Sequence, residues 1–448
     1  MTRRSCAIYA TVVAALIVVV VLIAGIALAG AQFFQTLIHE RLKKEITLTE
    51  ASQVFESWKN PPPPVYMEYY FFNVTNPEEF LAGGKAAVQQ IGPYTYREYR
   101  PRENISFLEN GTKIYALNPK SFVFVPEKSA GNPEVDIVRT VNIPYVAVMN
   151  ELSSYAFLLR TLISMYIKSI GVEIFMTRTV HEVLWGFKDP LLTKLHSMKP
   201  EVDEYFGLMW KVGTCCFCGH KFVYGQSIEA RSIHLAYVKD VEVKGIQAYR
   251  FAPPSDVLMS PKDNPTNEGF CVPAGDCLGT GVLKVSVCRE GAPIVVSFPH
   301  FYQADPMYIN AIDGLSPNKE EHETYLDLQP TTGVPIRACK RAQLNIILKR
   351  VQGFPNTRHI NETIFPIMFV NETATIDDDS ASQMKTLLLI VTIVSNFPWL
   401  IVGISVLLLL IMVLFYRNRQ KKVRIALESS LNPLMNCVQP TDSSSQHR

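Results

Sequence analysis

Cys215, Cys216, Cys218 and His220 place three thiols and an imidazole within six residues, a donor set able to hold zinc tetrahedrally. A complete zinc site takes paired clusters at fixed spacing, and no second half follows nearby, so no metal and no cofactor is assigned. Asp377, Asp378 and Asp379 read as a solvated charge run beside an apolar segment, not as cation ligands. Catalytic wording is missing too: G-x-S-x-G, H-E-x-x-H and a phosphate-cradling glycine loop do not occur, so the expectation is a protein that is not an enzyme. The remaining chemistry is histidine's. An ordinary pKa near 6.5 puts its gain of charge between a neutral and an acidic compartment, and His181, His196, His300 and His322 are the candidates.

N-x-S/T sequons stand at Asn73, Asn104, Asn110, Asn361 and Asn371, sites that carry sugar only in the secretory lumen. The elements that must present them are framed by two uncharged apolar runs, residues 7–31 and 386–416. Each exceeds the roughly 20 residues a helix needs to cross a bilayer. Arg3 and Arg4 precede the first run, while Arg417, Arg419, Lys421, Lys422 and Arg424 follow the second. Basic flanks stay cytoplasmic, which puts both termini in the cytoplasm and the sequons outside it. Arg41, Lys43 and Lys44 oppose this orientation; the five sequons outweigh them. Ala29-Gly30-Ala31 also allows a removable signal peptide, but the run is longer than the apolar stretch such peptides carry.

The expected organisation is a cytoplasmic tail (1–6), a membrane helix (7–31), a lumenal domain (32–385), a second membrane helix within 386–416 and a cytoplasmic tail (417–448). A net charge of +2 without a basic stripe gives no support for nucleic-acid binding. Seven of the nine cysteines fall in the lumenal part, where disulfides are the default and an odd number leaves at least one unpaired. Cys6, beside the first run, is a weakly signalled palmitoylation site. Residues 65–72, 121–125, 294–298, 343–351 and 364–370 have strand composition between turn residues. Residues 146–168 have helical character, and Glu151, Arg160 and Lys168 interrupt them too often for a third span. The fold class is α+β, strand-dominated, with a helical cluster over residues 145–210. A ligand-gated channel of two spans would need polar pore lining, and residues 403–416 offer only Ser405.

Several blocks resemble the class B scavenger receptor family. They are Tyr70-Phe71-Phe72-Asn73-Val74-Thr75-Asn76-Pro77-Glu78-Glu79, Gly92-Pro93-Tyr94-Thr95-Tyr96-Arg97-Glu98 and Leu184-Trp185-Gly186-Phe187-Lys188-Asp189. Further on come Gly269-Phe270-Cys271, Ser297-Phe298-Pro299-His300-Phe301-Tyr302-Gln303-Ala304-Asp305, and Pro317-Asn318 with His322. The wording is closest to the family's lysosomal branch. The resemblance implies two membrane helices flanking an antiparallel β-barrel core with an apical helical bundle. It also implies a tunnel for lipid: cholesterol, phospholipid or fatty acid. The lysosomal branch implies a receptor that carries β-glucocerebrosidase to lysosomes on its helical cap and releases it in acid. The alternative is a plasma-membrane lipid scavenger without hydrolase cargo. The sequence leaves a homo-oligomer open.

Carried onto this chain, the resemblance makes Phe157, Leu158, Leu162 and Met165 anchors for a partner, on a helix so apolar that exposing it would mark a binding surface. The competing reading is that this helix is core. Cys271 and Cys277 match a short-loop disulfide of the family. The pattern departs at 209–230, where a long stretch of strands is shortened and the family cysteine is Ala230, so Cys288 loses its partner unless Cys215, Cys216 or Cys218 replaces it. Arg178 stands where the lysosomal branch has histidine, which makes His181 the candidate pH switch. Leu434-Met435 resembles a dileucine sorting signal in which Ser430 occupies the acidic position, a place phosphorylation would recharge.

Overall fold

The computed structural model describes residues 3–45, 48–49, 52–109, 113–210, 234–271, 273–286 and 291–435. The expectations on Asn110, Cys215, Cys216, Cys218, His220, Ala230 and Cys288 lie outside the described residues, as do the side chains of Cys6, Ser430, Leu434 and Met435. The chain forms two units, Met1–Thr47 with Gln383–Arg448, and Leu48–Ser382.

In chain order the elements begin with helices α1 (Arg3–Gly30), α2 (Phe33–Glu45) and α3 (Gln53–Lys59), strand β1 (Val65–Val74) and helix α4 (Pro77–Leu81). Strands β2 (Ala86–Tyr99), β3 (Glu103–Leu108), β4 (Lys113–Leu117), β5 (Ser121–Phe124) and β6 (Ile137–Val141) follow. A helical region comes next: α5 (Ile143–Leu152), α6 (Phe157–Ser169), β7 (Phe175–Thr179), α7 (Val180–Trp185), β8 (Phe187–Lys188), α8 (Pro190–Met198) and β9 (Tyr205–Phe206). Then come β10 (Ala236–Val243), β11 (Ile246–Ala252), β12 (Val282–Lys284), β13 (Ile294–Ser297), α9 (Pro306–Asn310), β14 (Ile312–Asp313) and α10 (Lys319–His322). The last elements are β15 (Tyr325–Leu328), β16 (Pro335–Leu348), β17 (Thr363–Thr375) and α11 (Asp378–Met435).

Eleven strands make one sheet along the path β10-β11-β15-β16-β17-β1-β2-β14, with β13 and β12 joined through β16 and β5 through β2. Every pairing in it is antiparallel except β14 on β2. The class is the α+β that the strand and helix signals call for. Apolar residues 364–370 fall in the first half of β17, buried on both faces as far as Phe369, which is why that stretch reads as continuous rather than alternating. β1 divides the interior by its two-residue period. Met67, Tyr69 and Phe71 join one core with Tyr94, Tyr96, Val183 and Leu184, while Phe72 and Val74 join another with Phe365, Ile367 and Phe369. Its register on β2 slips between Tyr69 and Phe71, where Gly92 (φ 114°) passes so close that a Cβ would stand 2.7 Å from the Tyr69 carbonyl oxygen. Only glycine fits that bulge.

The single helical stretch expected over 146–168 is corrected to two helices. Asn142 caps α5, its Oδ1 accepting from the Tyr145 N–H at 3.1 Å. The chain leaves the helix at Ser153, whose carbonyl accepts from Arg160 Nη1 at 3.2 Å, while Ser154 Oγ donates back to the Glu151 carbonyl at 3.1 Å. Serine competes for local backbone groups in this way and interrupts helices. Asp377 is likewise not a free solvated charge. Its carboxylate accepts from the Ser380 N–H at 2.8 Å and the Ser380 hydroxyl at 2.7 Å, at the start of α11, where negative charge suits the helix dipole.

In the terminal unit, α1 and the α11 portion carry long rows of exposed apolar side chains, among them Leu16, Ile23, Leu400 and Leu407. Both helices are long and apolar enough to cross a membrane. They meet at Gly25, where a Cβ would stand 3.1 Å from Ile401 Cγ2, a close approach typical of small residues between apolar helices.

Candidate functional site

Helices α5 and α6 divide the core reading from the partner reading. α5 is core: Ile143, Tyr145, Val146 and Met149 are buried in the cluster built on Phe72 and Phe369. α6 turns only one side inward, with Ser164 and Ile167 buried and Ile163 and Ile170 packed against the same cluster. Gly353 (φ 94°) lets a turn after β16 reach this helix, since a Cβ there would stand 2.8 Å from Arg160 Cβ. The opposite side is apolar and open: Phe157 is 60% exposed, Leu158 70%, Leu162 53% and Met165 55%, with Leu159 and Tyr166 beside them. Positions 158, 162 and 165 share one helical face by their spacing of four and three. Ala156 gives α6 no side-chain cap, so the helix is held by its inward packing. A face of this kind, left uncovered among the described residues, is the geometry of helix-in-groove recognition.

His181 lies at the start of α7, which opens on a capping box: Thr179 Oγ1 accepts from the Glu182 N–H at 3.2 Å, and the Thr179 N–H donates to Glu182 Oε2 at 3.0 Å. His181 Nδ1 stands 2.9 Å from Glu134 Oε1. Both line a cavity of about 440 Å³ with an aromatic wall of Tyr96, Phe122, Phe124 and Trp185. Trp185 lies 5.0 Å, centroid to centroid, from both Tyr96 and Phe122. Arg178 sits over the Phe187 ring at 4.6 Å and 3.6 Å from Glu182, a permanent cation held by two partners. His196 Nδ1 is 2.7 Å from the Val202 carbonyl. His300 and His322, far apart in sequence, stack at 4.6 Å, a juxtaposition no spacing rule announces.

Cys271 and Cys277 form a disulfide with Cα atoms 4.8 Å apart. Among the described residues Cys339 is a buried free thiol, and burial pushes its pKa up, which makes its setting an inert one. It belongs to a network around one sequon. Asn371, only 9% exposed in β17, accepts on Oδ1 from Cys339 Sγ at 3.0 Å and Arg341 Nε at 3.2 Å and donates from Nδ2 to Glu68 Oε2 at 2.7 Å. Asn104 and Asn361 are exposed and Asn73 half-buried. The place of Asn371 in this network is a role that the sequon pattern does not reveal. Replacing Asn371 with alanine is expected to destabilise the fold by about 1–3 kcal/mol, because it strands buried polar partners. The same change at Asn104 or Asn361 is expected to leave the denaturation midpoint of the enzymatically deglycosylated protein nearly unmoved; equal effects at all three sites would refute the distinction.

Comparison with known proteins places these features. A sequence model of the CD36 family matches residues 16–215 and 223–416. Lysosome membrane protein 2 of Homo sapiens is 37% identical over 436 residues, covering 86% of this chain and 90% of the relative. Its Rattus norvegicus counterpart gives the same identity and coverage. Scavenger receptor class B member 1 of Cricetulus griseus is 30% identical over 444 residues, covering 86% of each.

Proposed function

This chain belongs to the CD36 family, and we propose that it is a lysosomal receptor that captures β-glucocerebrosidase on the outward face of α6 and carries it to lysosomes. The family supplies the coarser statement, a membrane receptor rather than an enzyme. The single observation that carries the finer one is the apolar face of Phe157, Leu158, Leu162 and Met165. The lysosomal address draws on lysosome membrane protein 2, whose name places that relative in the lysosomal membrane. In this reading residues 32–385 are lumenal, the sequons other than the buried Asn371 carry sugar, and both tails are cytoplasmic. Affinity purification of the full chain from detergent-solubilised cells tests it. Recovery of β-glucocerebrosidase supports the reading, and recovery of lipid alone favours a cell-surface lipid receptor.

Lipid handling accompanies this role. The aromatic cavity beside Trp185 has the volume and apolar walls that a part of a cholesterol, phospholipid or fatty acid molecule requires. His181, at the rim of that cavity and paired to Glu134, is the group proposed to answer acid in place of the fixed charge on Arg178. A His181→Gln variant is expected to retain cargo at pH 5 where the parent chain releases it; equal release from both would remove His181 from the mechanism. Changing Leu434 and Met435 to alanine is expected to raise the surface fraction of the receptor several-fold by antibody labelling of intact cells. Unchanged lysosomal staining would show that the tail signal is not used.

A further inference from the structure

His300 and His322 stack with ring planes 15° apart, and both are buried. Each uses Nδ1 to accept a backbone hydrogen bond, His300 from the Ser316 N–H at 3.0 Å and His322 from the Asn318 N–H at 2.8 Å. A backbone N–H can only donate, so both Nδ1 atoms are unprotonated and the rings neutral. The proton of His300 therefore sits on Nε2, which donates to Gln90 Oε1 at 2.6 Å.

The turn that carries His300 is strained. His300 (φ 52°), Phe301 (φ 56°) and Gln303 (φ 60°) all occupy the left-handed region, which residues with a Cβ seldom adopt. Side-chain bonds and packing hold it there. The His300 N–H donates to Gln343 Oε1 at 2.6 Å, and Phe301 is fully buried. The facing groups are Phe72 of β1, Gln90 of β2, Gln343 and Arg341 of β16, and Phe369 of β17. Arg341 is the charge felt by His322. Its guanidinium donates to the Glu320 and Glu323 carbonyls at 3.0 and 2.7 Å. Two acids of this region have partners of their own: Glu68 accepts from the Tyr70 hydroxyl at 3.4 Å and from Asn371 Nδ2 at 2.7 Å, and Glu323 pairs with Lys319 at 3.7 Å. Among the described residues no carboxylate forms an ion pair with either imidazole.

We propose that the His300 turn and residues 315–322 form an acid-released latch on the sheet. Each imidazole takes one proton from solvent, its Nδ1 changes from acceptor to donor, both backbone bonds break, and the strained turn relaxes away from β1, β2 and β17. Burial and the neighbouring His322 push His300 down to about 4, and burial and Arg341 push His322 down to about 4. The open segment has ordinary histidines near 6.5 and binds more protons than the closed one. Opening therefore grows as pH falls below 6.5 and levels off near 4. At pH 5 the opening constant rises by roughly 20-fold for each histidine freed.

Hydrogen exchange on the full chain in nanodiscs at pH 7 and pH 5, corrected for intrinsic rates, tests the latch. Peptides covering 299–322 are expected to exchange at least roughly 20-fold faster at pH 5, with no such change in α6 or the middle of β17. In His322→Asn the amide oxygen can still accept from Asn318 but cannot take a proton, so the acid gain is expected to shrink by about that factor for one histidine. Uniform exchange at both pH values, or an undiminished acid gain in His322→Asn, would overturn the proposal. Should that variant not fold, exchange of the unsubstituted chain decides alone, and no cargo is needed for the reading.

Discussion

Replacing both Leu158 and Leu162 with aspartate is expected to weaken capture of β-glucocerebrosidase at least about 100-fold, because central apolar anchors contribute about 2 kcal/mol or more each. Both side chains point away from the core, 70% and 53% exposed, so the fold loses no internal contact of weight. Surface changes of this kind stay within about 0.5 kcal/mol. A pull-down with immobilised receptor, paired with a denaturation curve, separates the two effects. Full capture by a folded double variant would remove α6 as the cargo site. Phe157 and Met165 are expected to show smaller single effects in the same direction, since they flank the 158–162 pair on the helix.

Asp327→Ala is expected to destabilise the sheet by about 3–5 kcal/mol, the usual result of orphaning buried partners of an ion cluster. Asp327 is fully buried on β15. It accepts from Arg250 of β11 at 2.7 and 2.9 Å and from Arg337 of β16 at 2.8 Å, so one carboxylate ties three strands. Arg250 also lies 3.7 Å over the Tyr325 ring. Burial pushes the Asp327 carboxyl up, but the hydrogen bonds from both arginines outweigh it and hold its pKa below the ordinary carboxylate value. A depressed carboxyl stabilises the fold above its unfolded pKa near 4 and loses that contribution only as pH falls further. The gap between parent and variant is therefore expected to be the same at pH 7 and pH 5 in urea denaturation. A gap that collapses at pH 5 would show that the cluster titrates in the lysosomal range. The contrast with the proposed histidine latch is one of sign: Asp327 keeps its bonds in mild acid, while opening of the latch is favoured as pH falls from 6.5 toward the depressed values near 4 of His300 and His322.

Much of the architecture was legible in the residues because it follows from local physics. Uncharged runs of membrane length announce α1 and α11 whatever surrounds them. Strand composition found β1, β5, β13, the second half of β16 and the first half of β17, but ran past the end of β16 at Leu348 and missed β2, β10, β11 and β15, the start of β16 at Pro335 and the end of β17 at Thr375, since pairing carries polar residues into a ladder that composition does not favour. Family wording then gave the class of molecule, which composition alone could not. The 146–168 stretch marks the limit. Its apolar residues are equally compatible with core and partner face, and the two serines that split it are too few to announce a break.

The sequence by itself determined what depends on one residue or one run: two apolar runs of membrane length, five sequons between them, an α+β middle and the absence of catalytic wording. Tertiary structure decided what depends on which residues meet. It turned α5 inward and α6 outward, drew His300 onto His322, and put Asn371 inside the sheet while leaving Asn104 in solvent. The physical reason is that burial and hydrogen-bond partnership are properties of the packed chain, set by strands that pair across 300 residues, as Glu68 and Asn371 do.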